Sequence, residues 1–125
     1  MKLFTVEEAN SLLPSVRRIV KTIQRSHRQL RSFQTAARRA AEGAEHGGGG
    51  TKVGVQYAQL LTQLSLGVNQ LESMGVQLKD YERGLIDFPS MRDGRVVLLC
   101  WQAGEGSQLE WWHDLEAGFA GRQPL

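Results

Sequence analysis

The strongest strand pattern in the sequence is VVLLCW at residues 96–101, which is followed by QAGEGS at 102–107 and, one residue later, by LEWWH at 109–113. β-Branched and aromatic side chains fill both apolar runs, and such side chains favour strands. The segment between the runs contains two glycines, which is typical of the turn of a β-hairpin. The sequence therefore predicts an antiparallel hairpin with a Gly-containing turn.

Alternation along the two strands divides this hairpin into two faces. With a centred turn, Cys100 opposes Leu109 and Val96 opposes His113 on one face. The other face carries Val97, Leu99, Trp101 and Trp112. Because both faces are apolar, we expect helices to cover one and a second subunit to cover the other. This pattern predicts a homodimer.

Two helical patterns precede the hairpin. The first covers residues 6–42, where apolar residues recur every three or four positions. It starts at Thr5, with Glu8 three residues later, as in a capping box. The second covers residues 52–74, and a glycine-rich linker at 43–51 separates the two. Such helices pack as an antiparallel helical hairpin.

After the second helix the apolar pattern changes from a helical period to that of strands. Residues 76–114 contain short strand patterns divided by turn residues, so we expect a β-rich part there. Residues 115–125 are too rich in glycine for a helix, and we expect an extended tail. We predict a single domain, residues 1–125, of the α+β class: a long antiparallel helical hairpin followed by a small antiparallel β-sheet.

The composition narrows the cellular context. A chain of 125 residues can form one hydrophobic core without a disulfide scaffold, and it contains a single cysteine. One unpaired cysteine favours a reducing compartment. The longest strongly apolar run, residues 96–101, is far shorter than the roughly 20 residues needed to cross a bilayer. We therefore expect a cytoplasmic protein with no membrane association.

Positive charge is concentrated in the first third of the chain. Residues 1–40 contain nine basic and two acidic side chains, which gives +7, whereas the remainder carries −5. One side of the first helix holds the candidate anion-binding residues Arg17, Lys21, Arg25, Arg28 and Arg31. Arginine suits phosphate geometry, so RNA or a ribosome is a candidate partner. A solvated face, or one neutralised by the acidic part of the chain, is the alternative.

The second half holds the only candidates for chemistry, which are Asp87, Glu105, His113 and Glu116. A histidine with several carboxylates can bind a divalent metal, and the same set can exchange protons with a substrate. The spacing matches no known metal motif. Cys100 shares a face with His113, but the expected register does not place the two opposite each other. The alternative is structural, with His113 as a hydrogen-bonding residue at the sheet end and Glu105 as a turn residue.

Three segments carry a resemblance to a known family: FTVEEANSLLP at residues 4–14, GVQLKDYERGLIDFPSMRDGRVVLLCW at 75–101, and EWWHDLEAGFAGRQPL at 110–125. They resemble the prokaryotic family named domain of unknown function twenty-two-zero-three. Two positions depart from the family pattern, since Glu116 stands where Asp is frequent and Tyr81 where Pro is common. The resemblance implies a small, uncharacterised bacterial cytosolic protein, and it assigns no catalytic or binding residues.

These observations favour a non-enzymatic binding or regulatory module that acts as a homo-oligomer. The first alternative is a divalent-metal-binding protein or metal-dependent hydrolase that uses the His and carboxylate cluster. The second is an RNA- or ribosome-associated protein that uses the arginine face of the first helix. A divalent metal is the one cofactor that the sequence supports, and an RNA or a protein is the expected partner.

Overall fold

The computed structural model describes the backbone of residues 1–43 and 50–125, and the side chains of residues 1–39 and 52–125. Helix α1 spans Val6–Gly43 and helix α2 spans Gly50–Met74. Both helices extend into the predicted linker, by Gly43 on one side and by residues 50–51 on the other. The remainder of that linker lies outside the described residues.

The start of α1 is a capping box. The backbone amide of Thr5 donates to Glu8 Oε1 at 2.9 Å, and the amide of Glu8 donates to Thr5 Oγ1 at 3.0 Å. Each bond satisfies a backbone amide that a helix leaves without a partner at its first turn. The preceding residue joins the helix to the sheet, because the amide of Phe4 donates to the carbonyl of Pro89 at 2.7 Å.

The two helices pack as an antiparallel hairpin. Phe33 of α1 contacts Tyr57 of α2 at 5.8 Å between ring centroids, and nearer the sheet Ile23 meets Gly67. A Cβ atom at Gly67 would lie 2.7 Å from Ile23 Cγ1, which is closer than packed side chains allow. Glycine at this position therefore lets the helices approach each other, and this outweighs its low helix propensity.

Five antiparallel strands follow in the order β1-β2-β3-β4-β5. They are β1 Gln77–Asp80, β2 Leu85–Arg92, β3 Arg95–Gln102, β4 Trp111–Asp114 and β5 Gln123–Pro124. The predicted α+β fold of a helical hairpin and a small antiparallel sheet is confirmed. Among the residues that the structure describes, neither helix combines the length and the apolar character that a membrane span requires.

The predicted register of the 96–113 hairpin is wrong by two residues. Cys100 pairs with Trp111 rather than Leu109, and Leu98 rather than Val96 pairs with His113. The connection is longer than a centred turn requires, because Leu109 is buried outside the strand and its amide donates to Asn10 Oδ1 on α1 at 2.7 Å. A shift of two residues preserves which side chains share a face.

One face of the sheet, the inner face, packs on the helical hairpin and forms the core. Ile86, Phe88 and Leu99 are at most 1% exposed, and they lie in one cluster with buried α1 residues. The helix residues of that cluster are Ala9, Leu13, Val16, Val20 and Ile23 on α1 and Leu71 on α2. This is the amphipathic pattern that the sequence shows, now matched to a sheet.

The opposite face, the outer face, is covered by the chain itself. The tail is not simply extended: Phe119–Gly121 form a turn of 3₁₀-helix, and Gln123 pairs with Trp112 as β5 adds to the sheet. From this segment Arg122 stacks on Trp111 of the outer face at 5.0 Å. The reason for expecting a second subunit on this face therefore disappears, because the tail already buries it.

Candidate metal centre

Three strands bring Asp87, Cys100 and His113 together on the outer face. Asp87 of β2 pairs directly with Cys100 of β3, and His113 of β4 pairs with Leu98, two residues from Cys100. Because side chains two residues apart point to the same side of a strand, all three meet beneath the tail. Their carboxylate, thiol and imidazole ligand atoms all lie within 4.8 Å of one another.

This cluster is fully enclosed. The exposed fractions of Asp87, Cys100 and His113 are 1%, 0% and 3%. His113 Nε2 lies 3.1 Å from Asp87 Oδ1, and His113 Nδ1 lies 2.8 Å from the backbone carbonyl oxygen of Asp114. Among the described residues, these three form the one group of His, Cys, Asp or Glu that could hold an ion.

The two hydrogen bonds of His113 determine where its proton lies. A carbonyl oxygen only accepts, so Nδ1 must carry the hydrogen that points at Asp114. Nε2 then faces a carboxylate oxygen, and two lone pairs 3.1 Å apart repel unless a cation lies between them. That cation is either a proton shared by His113 and Asp87 or a metal ion. Histidines that ligate metals usually donate their other ring N–H in the same way.

The thiol of Cys100 is not a nucleophile in this arrangement. Burial raises its pKa to about 12, and the neighbouring Asp87 carboxylate adds to that effect. A nucleophilic cysteine needs the opposite environment, one that stabilises the thiolate. A metal ion would reverse the situation, because a coordinating thiol loses its proton to the metal.

An ion pair holds the cover in place. Arg122 Nη2 donates to Glu105 Oε1 at 2.7 Å, and the guanidinium lies between the rings of Trp111 and Phe119. Burial alone would raise the pKa of Glu105, but the bonds from Arg122 and from the Gln102 amide outweigh it and lower that pKa. The Arg122 side chain is 10% exposed, so the tail is fixed by a largely buried charge pair.

The structure separates the four predicted metal ligands. Asp87 and His113 come together as the cluster requires, whereas Glu105 is bound to Arg122 and Glu116 is exposed on the tail. Cys100 takes the place of the missing carboxylates. The sequence contains the pattern that indicates Cys100 as a ligand, because side-chain alternation along the strands places Cys100 and His113 on one face.

The five predicted anion-binding residues also fall into two groups, one with an ion-pair partner and one without. Arg17, Lys21, Arg25 and Arg28 are exposed along one side of α1, and the guanidinium of Arg17 lies over the ring of Trp101 at 6.0 Å. Arg31, also exposed, forms an ion pair with Glu82 in the turn between β1 and β2. The acidic part of the chain therefore neutralises Arg31, while the described side chains provide no ion pair for the other four.

Comparison with known proteins gives a family without a function. No curated protein and no solved structure matches the chain. One family model does match, and it covers residues 2–125, which include both helices, all five strands and the buried cluster. The chain therefore belongs to the family of uncharacterized conserved proteins DUF2203.

Proposed function

We propose that this protein binds a divalent transition-metal ion, zinc above all, through Asp87, Cys100 and His113. The observation that carries the proposal is a fully buried group of three ligand atoms within 4.8 Å of one another, with His113 Nε2 directed at Asp87 Oδ1 at 3.1 Å. A thiolate, an imidazole and a carboxylate are the ligand types of zinc. Magnesium and calcium prefer sites made of oxygen ligands alone.

Charge balance supports the exchange of protons for a metal. Without metal, the carboxylate, the thiol and one shared proton give the cluster a net charge of zero. A divalent ion would displace the shared proton and the thiol proton, and with carboxylate and thiolate ligands the net charge again is zero. A buried site therefore accepts the ion without gaining an uncompensated charge, which would be costly in a low-dielectric interior.

The burial of the cluster favours a non-enzymatic binding or regulatory module over a metal-dependent hydrolase. A zinc hydrolase keeps one coordination position open to water and substrate. Here the ligand atoms lie under the tail, and Cys100 is fully buried. A hydrolase would require the tail to leave the outer face at each turnover.

The resemblance to bacterial proteins and the unpaired buried thiol support a cytoplasmic location in a bacterium, where thiols stay reduced. The homodimer stays a prediction. The sheet is covered within the chain and no longer supports a dimer. The feature that still favours one is the outer side of α2, where Val55 is 52% and Leu66 is 58% exposed.

Native mass spectrometry of the untagged protein, purified without chelator, tests the proposal directly. We expect one zinc ion per chain, measured together with the number of subunits. Cys100→Ala should lose the ion and stay folded, since a small apolar side chain replaces a buried thiol. His27→Ala is the matched control, because His27 stacks on Tyr81 at 5.5 Å outside the cluster. A wild type that holds no zinc even after refolding in its presence, or a His113→Ala variant with unchanged metal content, would refute the site.

A further inference from the structure

A second surface is independent of the metal centre. The basic stripe, defined as Arg17, Lys21, Arg25 and Arg28, lies along one side of α1. These residues recur every three or four positions, so their side chains project from successive turns of the same helix side. At 1.5 Å per residue, they span about 17 Å along the helix axis. All four side chains are exposed.

The stripe keeps its charge. Glu82 pairs with Arg31, at the end of the stripe, but no described acidic side chain pairs with the four residues of the stripe itself. The described side chains of residues 1–39 carry +7 in total, whereas those of α2 from residue 52 sum to zero. The field above this side of α1 is therefore positive, and it attracts polyanions.

A groove opens beside Arg28, between the two helices. Its volume is about 630 Å³, and the ring of Phe33 forms part of its wall. Four amide side chains also line it: Gln29, Gln56, Gln59 and Gln63. Amides donate and accept at the same time, so they can bond to the edges of unpaired bases, and an aromatic ring can stack on a base.

We propose that the basic stripe and this groove bind single-stranded nucleic acid, with the phosphates on the stripe and one or more bases in the groove. Arg28 borders both features, so one strand can contact them together. Arginine is suited to phosphate oxygens. An acidic protein would also satisfy the charge of the stripe, but it would leave the phenyl ring and four amides beside Arg28 without a role. A duplex would keep its bases out of the groove.

Fluorescence anisotropy with a labelled, short single-stranded RNA of mixed sequence tests the proposal. Single strands give a slope of log K against log salt of about −0.7 for each phosphate contacted, so four contacts predict a slope of about −3. Exchange of all four stripe residues for Gln, as Arg17→Gln, Lys21→Gln, Arg25→Gln and Arg28→Gln, should weaken binding strongly, and any residual binding should show a slope close to zero. Gln retains high helix propensity, so the circular dichroism spectrum should not change.

A matched control removes the same number of positive charges elsewhere, as Lys2→Gln, Lys52→Gln, Lys79→Gln and Arg92→Gln, and it should retain most of the affinity. Gln59→Ala with Gln63→Ala should weaken binding to the RNA but not to heparin, which has no bases. Equal loss of affinity in the control and in the stripe variant would overturn the proposal. Equal affinity for a duplex and for the single strand, or binding of acidic peptides in preference to RNA, would also overturn it.

Discussion

The two faces of the sheet are both buried, but they are buried by different means. The inner face presents Phe88, Leu99 and Trp112 to α1, and its stabilisation is hydrophobic. The outer face encloses Asp87 and His113 under the tail, whose Arg122 forms an ion pair with Glu105. Burial of a polar group costs free energy unless it is paired, so loss of one partner on the outer face should be destabilising. Burial alone therefore does not distinguish a hydrophobic core from a functional site.

The largest effect is expected on the inner face, from Phe88→Ala. Phe88 is fully buried and contacts Phe4 edge-to-face at 5.3 Å between centroids, so its loss leaves a cavity at the centre of the core. We expect the free energy of unfolding to fall by about 4 kcal/mol. Urea titration measures this change. Met91→Ala is the control, because Met91 is 53% exposed on the outer side of the same strand. Similar losses in both variants would contradict the assignment of the core.

The next effect distinguishes pairing from packing on the outer face. His113→Leu leaves the Asp87 carboxylate buried without its partner, and in chelator we expect a loss of about 3 kcal/mol. The double variant Asp87→Leu with His113→Leu removes both charges and should recover most of that loss. Thermal unfolding of the two variants beside the wild type gives the comparison. A double variant that is no more stable than the single one would show that the cluster contributes by shape and not by charge.

A smaller effect concerns the cover of the outer face. Arg122→Leu leaves Glu105 without its bonded cation, which should cost about 2 kcal/mol. If the tail opens more often by that free energy, a thiol reagent should label Cys100 roughly 30-fold faster. The rate of labelling is followed in native buffer. Arg92→Leu provides the control, since Arg92 lies over Trp112 at 4.8 Å on the inner face. Unchanged labelling in Arg122→Leu would mean that another segment shields the thiol.

The smallest effect lies at the start of α1, which carries the inner core. Bonds from the backbone and then the hydroxyl of Thr5 lower the pKa of Glu8. A lowered folded-state pKa means that this stabilisation is present above the unfolded pKa and is lost as the pH falls through the folded value. Glu8→Ala removes the carboxylate that accepts from the Thr5 amide, so it should destabilise the protein at neutral pH and do so less in acid. Thermal unfolding of both proteins across the acidic range measures the difference, and a constant difference would contradict the capping role.

The sequence was sufficient for the parts that depend on local pattern. The three- and four-residue spacing predicted residues 6–42 for the first helix, which spans Val6–Gly43, and period-two alternation assigned Cys100 and His113 to one face. The spacing of Thr5 and Glu8 alone predicted the capping box at the start of this helix. These features follow from backbone geometry, so no tertiary information is needed to find them.

The parts that depend on long-range packing could not be predicted. Asn10 accepts from the amide of Leu109 across 99 residues of sequence, and Leu109 lies outside the strand in a register that differs by two from the predicted one. The predicted set of metal ligands differs from the observed cluster for a related reason. Glu105 is close to Cys100 in the sequence, but its carboxylate is bound to Arg122 of the tail and is not a member of the cluster. The composition shows which side chains are able to bind a metal, whereas the folded structure decides which of them are already bound to another side chain.

The strand order has a consequence for when the site can be filled. Each strand pairs with the next one along the chain, so Asp87, Cys100 and His113 can be assembled from three consecutive strands before residues 119–124 fold over them. Short-range pairing of this kind forms early, and closure by the tail is a later step. An ion would thus enter during folding and not through the finished surface. Metal that is present while the chain refolds should exchange far more slowly than metal that is added afterwards.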